Sequence, residues 1–251
     1  MRVRARTTPA YWQRETGKFE PIKVTEHPFE LIFDKFLSVD RRKTCVEIGA
    51  YPGANLCYLA KRYSFQCHAI EYREDADDIR RQFEFNGLPP PVIVNSDFLT
   101  VEQGPFDVVT SYGFVEHFDN SDIVLQKHAD MLAPDGYLVI SVPHFWGMQG
   151  VFRRMIFTKD ALDELFATHN TEIMQLRVLK RMLQDVGLTV LYSRYVMNGK
   201  FWILPDSPKI RPSRRWLAKL IVVFDRFVGS WIPSCSLVSP MMLVICQKRQ
   251  A

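Results

Sequence analysis

The sequence predicts a doubly wound α/β fold on one seven-stranded mixed sheet, and three observations lead there. From residue 43 onward, apolar runs of strand length alternate with longer segments of helical period, the pattern of a sheet fed by crossover helices. The run TCVEI at 44–48 is almost unbroken in apolar character and is closed by Gly49, as befits a central strand buried on both faces. The 251 residues are 47% hydrophobic, with 18 Phe, 9 Tyr and 5 Trp, enough for one large packed interior and contrary to a disordered or low-complexity chain.

Taken in order, strands are expected at 44–48, 66–71, 92–96, 106–111, 137–142, 188–196 and 241–247, with helices at 55–63, 75–85, 123–131 and 174–186. Three segments lie outside this core. Residues 1–40 carry Tyr11, Trp12, Phe19, Phe29 and Phe33 and read as an N-terminal helical arm. The chain between the fifth strand and the next, 144–187, is longer than a plain crossover needs. Residues 197–240 separate the last two strands and hold seven Lys or Arg against only Asp206 and Asp225. The length favours one domain over two, so these segments are read as appendages of a single domain, 1–251.

The net charge of +4, from 32 basic and 28 acidic residues, is too small for a dedicated nucleic-acid binder, and no nucleic-acid partner is expected. Cys45, Cys57, Cys67, Cys235 and Cys246 show no CxxC or Cys/His spacing of a zinc site, so reduced thiols in a cytoplasmic protein are expected. The N-terminus has no apolar signal core. Arg2, Arg4 and Arg6 could open a transit peptide, but Glu15 and Glu20 follow closely. The apolar stretch 217–224 is short and closed by Asp225 and Arg226, so no spanning helix is expected.

The stretch VEIGAYPGANLCYLAKRY has the outline of a nucleotide-binding strand, glycine turn and helix. A dinucleotide fingerprint, G-x-G-x-x-G, needs its middle glycine so that backbone can approach a pyrophosphate. Here Tyr51 takes that place between Gly49 and Gly53, where a side chain crowds a diphosphate, and no G-x-x-x-x-G-K-[ST] phosphate loop occurs. The turn has a carboxylate, Glu47, two residues before Gly49. Glu71 ends CHAIEY, 22 residues after Gly49, and Asp97-Phe98 closes VIVNSDF. In order and spacing these residues resemble class I S-adenosylmethionine-dependent methyltransferases. FDVVTSYGFVEHF resembles that family's fourth-strand motif, and LAPDGYLVISVP its turn into the fifth strand. The resemblance covers about residues 42–143 and is greatest to small-molecule members. Tyr51 and Pro52 depart from the usual second motif glycine, which implies rearranged contacts to the methionine tail.

The resemblance implies a Rossmann-like fold, S-adenosylmethionine as cofactor, and cofactor contacts from Glu47, Gly49, Ala50, Tyr51, Gly53, Glu71, Tyr72, Asp97, Phe98 and Tyr112. Glu71 would accept from the ribose hydroxyls, and Asp97 and Phe98 would meet the adenine. Glu47 has two readings, direct contact or a brace for the loop, because a carboxylate on a buried strand needs a hydrogen-bond partner. Tyr72 either stacks on the adenine or caps the sheet. Two catalytic bases are candidates: His117, just after the fourth strand, and His144, directly after Pro143 at the end of the fifth. A neutral imidazole, with a reference pKa of about 6.5, suits removal of a proton from a hydroxyl; His117 could instead cap its turn. Some relatives use E-x-x-E-H to hold a divalent ion; Gly113 stands where the first Glu would be, so no metal site is expected. His169 could contact substrate or cap a helix, and Tyr11 and Trp12 could form a lid or staple the arm to the core.

The resemblance thus implies methyl transfer to a small-molecule acceptor, most simply a hydroxyl of a sugar or phenol. Small-molecule N-methylation and a non-catalytic binding subunit are the alternatives. Residues 41–143 form the cofactor-binding half in this reading, while 144–187 and 197–240 build the acceptor site and cap. The basic segment 197–240 could also serve peripheral membrane contact or a homodimer.

Overall fold

The computed structural model describes residues 3–249 apart from Gly199 and Trp202; Met1 and Arg2 of the arm lie outside the described residues. The strands are β1 (Thr44–Ile48), β2 (Gln66–Glu71), β3 (Val92–Asn95), β4 (Phe106–Tyr112), β5 (Leu132–Pro143), β6 (Thr189–Val196) and β7 (Met241–Gln247). The helices are α1 (Pro9–Thr16), α2 (Glu30–Phe33), α3 (Ala54–Tyr63), α4 (Asp77–Phe85), α5 (Ser121–Asp130), α6 (Gly147–Ile156), α7 (Lys159–Thr168), α8 (Leu176–Asp185) and α9 (Arg215–Phe227).

All seven strands join one sheet in the order β3-β2-β1-β4-β5-β7-β6. β1 to β5 pair in parallel, while β7 runs antiparallel to both β5 and β6. The chain therefore steps outward from β1 to β3 and returns to the other side of β1 as β4. This reversal opens a crevice at the carboxyl ends of β1 and β4, where ligands bind in open α/β sheets.

Strand geometry distributes the core between two layers, because successive side chains point to opposite faces. Val46, Val109 and Leu138 pack on one face with Leu125 of α5 and Leu179 and Leu183 of α8. Cys45, Val108 and Val139 pack on the other with Leu56 and Leu59 of α3 and Phe33 of the arm. A third apolar cluster joins Ile156 of α6 to Phe201, Ile203, Ile210, Ala218 and Ile221, so the two long insertions pack on each other. Among the described residues no helix is long and apolar enough to cross a membrane.

One element differs from its sequence reading. LAPDG does not turn the chain into a strand at 137; it is absorbed into β5, which starts at Leu132. Phe106 pairs with Leu132 but Val108 with Tyr137, a bulge that Asp135 makes at φ 60°. Gly136 is required there, since a Cβ would stand 2.9 Å from the Ala133 carbonyl oxygen.

Candidate active site

The crevice begins at Gly49. Its φ is +69° and a Cβ would stand 2.7 Å from Phe114 Cδ2, so glycine alone lets the end of β1 lie beside the loop after β4. Gly53, at φ +91°, allows a different close approach. A Cβ there would lie 2.8 Å from Ile79 Cγ2, so this glycine keeps the start of α3 close to α4. Tyr51, which the sequence reading treats as an obstruction, is drawn off toward α4. Its hydroxyl donates to Asp78 Oδ2 (3.1 Å), and the Arg73 guanidinium lies 3.8 Å from its ring centre.

Two adjoining cavities occupy the crevice. One, of about 140 Å³, is lined by Gly49, Glu71, Tyr72, Asp97, Phe98 and His117 among others. The other, of about 120 Å³, shares Trp12, Gly49, Glu71, Tyr72 and Phe114 and adds Tyr51, Arg73 and Tyr112. Of the ten cofactor-contact residues expected from sequence, Gly49, Tyr51, Glu71, Tyr72, Asp97, Phe98 and Tyr112 line these spaces, while Glu47, Ala50 and Gly53 line neither.

Each lining group is held by local structure. Glu71 accepts from the backbone N–H groups of Tyr72 (2.9 Å) and Arg73 (3.2 Å) at Oε1 and of Tyr51 (3.1 Å) at Oε2. Burial raises its pKa and those three donors oppose the rise. Asp97 Oδ1 accepts from Leu99 N (2.9 Å), and Phe98 meets Phe114 edge-on with ring centres 5.6 Å apart. Glu47 is buried behind the loop. Asn55 donates to its Oε1 (3.2 Å), the Leu56 backbone N–H also faces the carboxyl group, and burial pushes its pKa up to about 8. The Tyr112 hydroxyl is likewise buried, beside Thr110. Carboxylate acceptors at Glu71 and Asp97, ring walls at Tyr72 and Phe98, and open backbone at Gly49 fit a cofactor with sugar hydroxyls, an aromatic base and no phosphates. S-adenosylmethionine has those parts.

The candidate bases part company. His117, 5% exposed, lines the first cavity, and its Nδ1–H donates to the Thr168 carbonyl (2.8 Å), leaving Nε2 as the lone-pair nitrogen. Burial pushes its pKa down to about 4. Nε2 lies 3.8 Å from Oε1 of Glu116, whose carboxyl group receives no hydrogen bond from another residue among those described and whose pKa burial pushes up to about 8. His144 lies elsewhere: its ring meets Tyr195, its Nε2–H donates to the Ser236 carbonyl (2.8 Å), and it lines a separate cleft with Trp146 and Leu176. The structure does not bring it together with the residues around Gly49.

Two residues that the sequence left with two readings each, His169 and Trp12, stand at the site, and Arg73, which the sequence did not mark, joins them. His169, at the end of α7, lies with its ring centre 4.5 Å from that of His117, and ligand atoms of Glu116, His117 and His169 lie within 4.8 Å of one another, a spacing that suits a small cation. Only the Glu116-His117 pair signals this in the sequence; the third member comes from α7. Trp12 meets His117 edge-on at 4.8 Å and walls both cavities, so the arm covers the crevice. Arg73, buried just after the strand-end Glu71, clamps it. It donates to Asp75 (2.8 and 2.6 Å), to the Trp12 carbonyl (2.8 Å) and to Thr16 Oγ1 (2.6 Å).

A family model described as a methyltransferase domain matches residues 25–193. A search of curated proteins finds no sequence match. Among solved structures, a candidate methyltransferase of Bacillus halodurans aligns with a TM-score of 0.62 at 14% identity, over 88% of this chain and 98% of that one. A methyltransferase of Haloferax volcanii, solved in complex with a methyltransferase activator, aligns at 0.58 and 12% identity, over 90% of each chain. Coclaurine N-methyltransferase bound to N-methylheliamine and S-adenosylhomocysteine aligns at 0.54 and 14% identity, over 88% of this chain and 71% of that one.

Proposed function

This chain belongs to the methyltransferase-domain family and is an S-adenosylmethionine-dependent methyltransferase; from that premise we propose that it methylates a hydroxyl of a small-molecule acceptor, a sugar or a phenolic compound. The cofactor, when bound, supplies an electrophilic methyl group on a sulfonium. Glu71 and Asp97 hold its ribose and adenine, Tyr72 and Phe98 wall the base, and Gly49 admits its amino-acid portion. Trp12 and the arm exclude water.

The observation that carries the hydroxyl reading is the His117 ring. With Nδ1–H spent on the Thr168 carbonyl, Nε2 is the neutral proton acceptor of a residue that lines the cavity. A hydroxyl gains most from such a base, because its oxygen is a poor nucleophile until the proton leaves. Nε2 holds that proton. The imidazolium so formed stands 3.8 Å from Glu116 Oε1, the nearest carboxyl group. In this reading residues 41–143 hold the cofactor and 144–187 and 197–240 form the acceptor side and cap, all within one domain. The five cysteines are free, which supports a reducing, cytoplasmic setting.

The decisive experiment is a labelled-methyl assay of the full chain against phenols, sugars and small amines, with donor binding followed by calorimetry. His117→Gln is expected to cut hydroxyl methylation by about 10²–10⁴-fold while donor affinity stays within a few-fold. Unchanged turnover in that variant overturns the base assignment. N-methylation is the second reading, favoured by the aromatic wall of Trp12, Phe114 and Phe118, which attracts an ammonium group that becomes a nucleophile once its proton passes to His117 or to solvent. Turnover confined to amines would select it.

A further inference from the structure

α9 presents three distinct faces, and the fold uses only one of them. Ala218 and Ile221 are buried against Ile156 of α6 and against Phe201, Ile203 and Ile210. On another face Trp216, Leu220, Val223 and Phe227 recur at i, i+4, i+7 and i+11 and stand 51–68% exposed. Trp231, in the turn Gly229–Trp231 that follows, is 85% exposed. A third row, Arg215, Lys219 and Arg226 at i, i+4 and i+11, runs beside the apolar stripe and is exposed along its length. None of these three cations has a carboxylate partner among the described residues. Of the two acids in 197–240, Asp225 is half-buried, leaving Asp206 as the exposed one.

We propose that α9 and the turn after it dock this protein in the plane of an anionic bilayer surface. An apolar stripe edged by cations and carrying two exposed tryptophans matches the acyl boundary with its phosphate layer above, where indoles prefer to lie and lysine stems extend toward the headgroups. The charge row also selects this occupant over a second copy. A symmetric dimer through the stripe uses the same patch on both subunits and so brings Arg215, Lys219 and Arg226 near their own counterparts, whereas anionic lipid neutralises them. The chain leading into α9 is tied to the arm that covers the crevice: Lys209 pairs with Glu15 of α1 (2.5 Å).

The test is co-sedimentation of the full chain with vesicles of phosphatidylcholine alone and of phosphatidylcholine with phosphatidylglycerol, at low and high salt. Binding to the anionic vesicles only, weakened by salt, is expected. Trp216→Ser with Phe227→Ser should weaken it by about tenfold or more, and Arg215→Gln with Lys219→Gln and Arg226→Gln by on the order of a hundredfold. All five side chains are exposed, so thermal unfolding and calorimetric binding of the methyl donor should be unchanged, which keeps this result separate from the methyltransferase reading. Equal sedimentation with both vesicle types, binding that survives both variants, or a dimer by light scattering that Trp216→Ser dissociates would each overturn the proposal.

Discussion

β4 and β5 lie side by side, run parallel, and are each followed by a buried histidine, yet the two histidines have different surroundings. After β4 the chain makes a tight 3-10 turn, Val115–His117, in which one ring nitrogen is spent on the Thr168 carbonyl and the ring meets the crevice. After β5 the chain is pinned to the segment before β7. The His144 backbone N–H donates to the Pro240 carbonyl (2.7 Å) and the ring to the Ser236 carbonyl. What separates the two histidines is thus which cavity the surrounding backbone leaves them facing: His117 shares the crevice with Gly49, Glu71 and Asp97, and His144 lines a different cleft.

That contrast can be broken or sharpened by experiment. The largest effect is expected from His117→Gln, a loss of about two orders of magnitude or more in turnover. Next, Glu71→Ala removes a carboxylate that accepts three backbone donors and faces the cofactor space. Donor affinity should fall by about ten- to a hundredfold, the range of a lost charged hydrogen bond, as read by calorimetry. Gly49→Ala forces a Cβ onto Phe114 at a left-handed φ. A destabilisation of about 1–3 kcal/mol is expected, visible in denaturant unfolding together with weaker donor binding.

A smaller effect separates Glu47 from the lining residues. Burial holds its pKa at about 8 in the folded chain, above the unfolded value of about 4.3. The folded state therefore binds more protons between those values. The stability Glu47 contributes is complete below about pH 4 and is lost as pH rises through 8. Glu47→Gln should flatten that decline, measured as melting temperature from pH 5 to pH 9, and an unaltered slope would contradict the burial argument. The smallest effect is expected from His144→Gln, whose turnover should stay within about threefold of the parent because its ring bonds to a carbonyl in a separate cleft. A loss as large as that of His117→Gln would erase the contrast.

The reasons for these differences divide along the chain. Continuous apolar runs made the parallel strands legible, because a strand buried on both faces leaves no polar position to blur it. The acids Glu47, Glu71 and Asp97 were legible as a set, because each closes or nearly closes a strand and the parallel order carries all three toward one edge of the sheet. LAPDG was not, because a turn and a bulge use the same residues and only pairing with β4 separates them. Arg73 was not, and Trp12 and His169 kept two readings each, because the arm meets Arg73 across 61 residues of chain and His169 meets His117 only through the fold of a distant helix.

By itself, the sequence determined that this protein builds a parallel half-sheet with Glu71 and Asp97 at its carboxyl edge, since local periodicity and short-range spacing suffice for that. Only the tertiary structure decided which histidine faces that edge, what covers it, and which side of α9 is left bare. Those outcomes depend on carbonyls and side chains brought in from far along the chain, and spacing in sequence says nothing about which of them arrive.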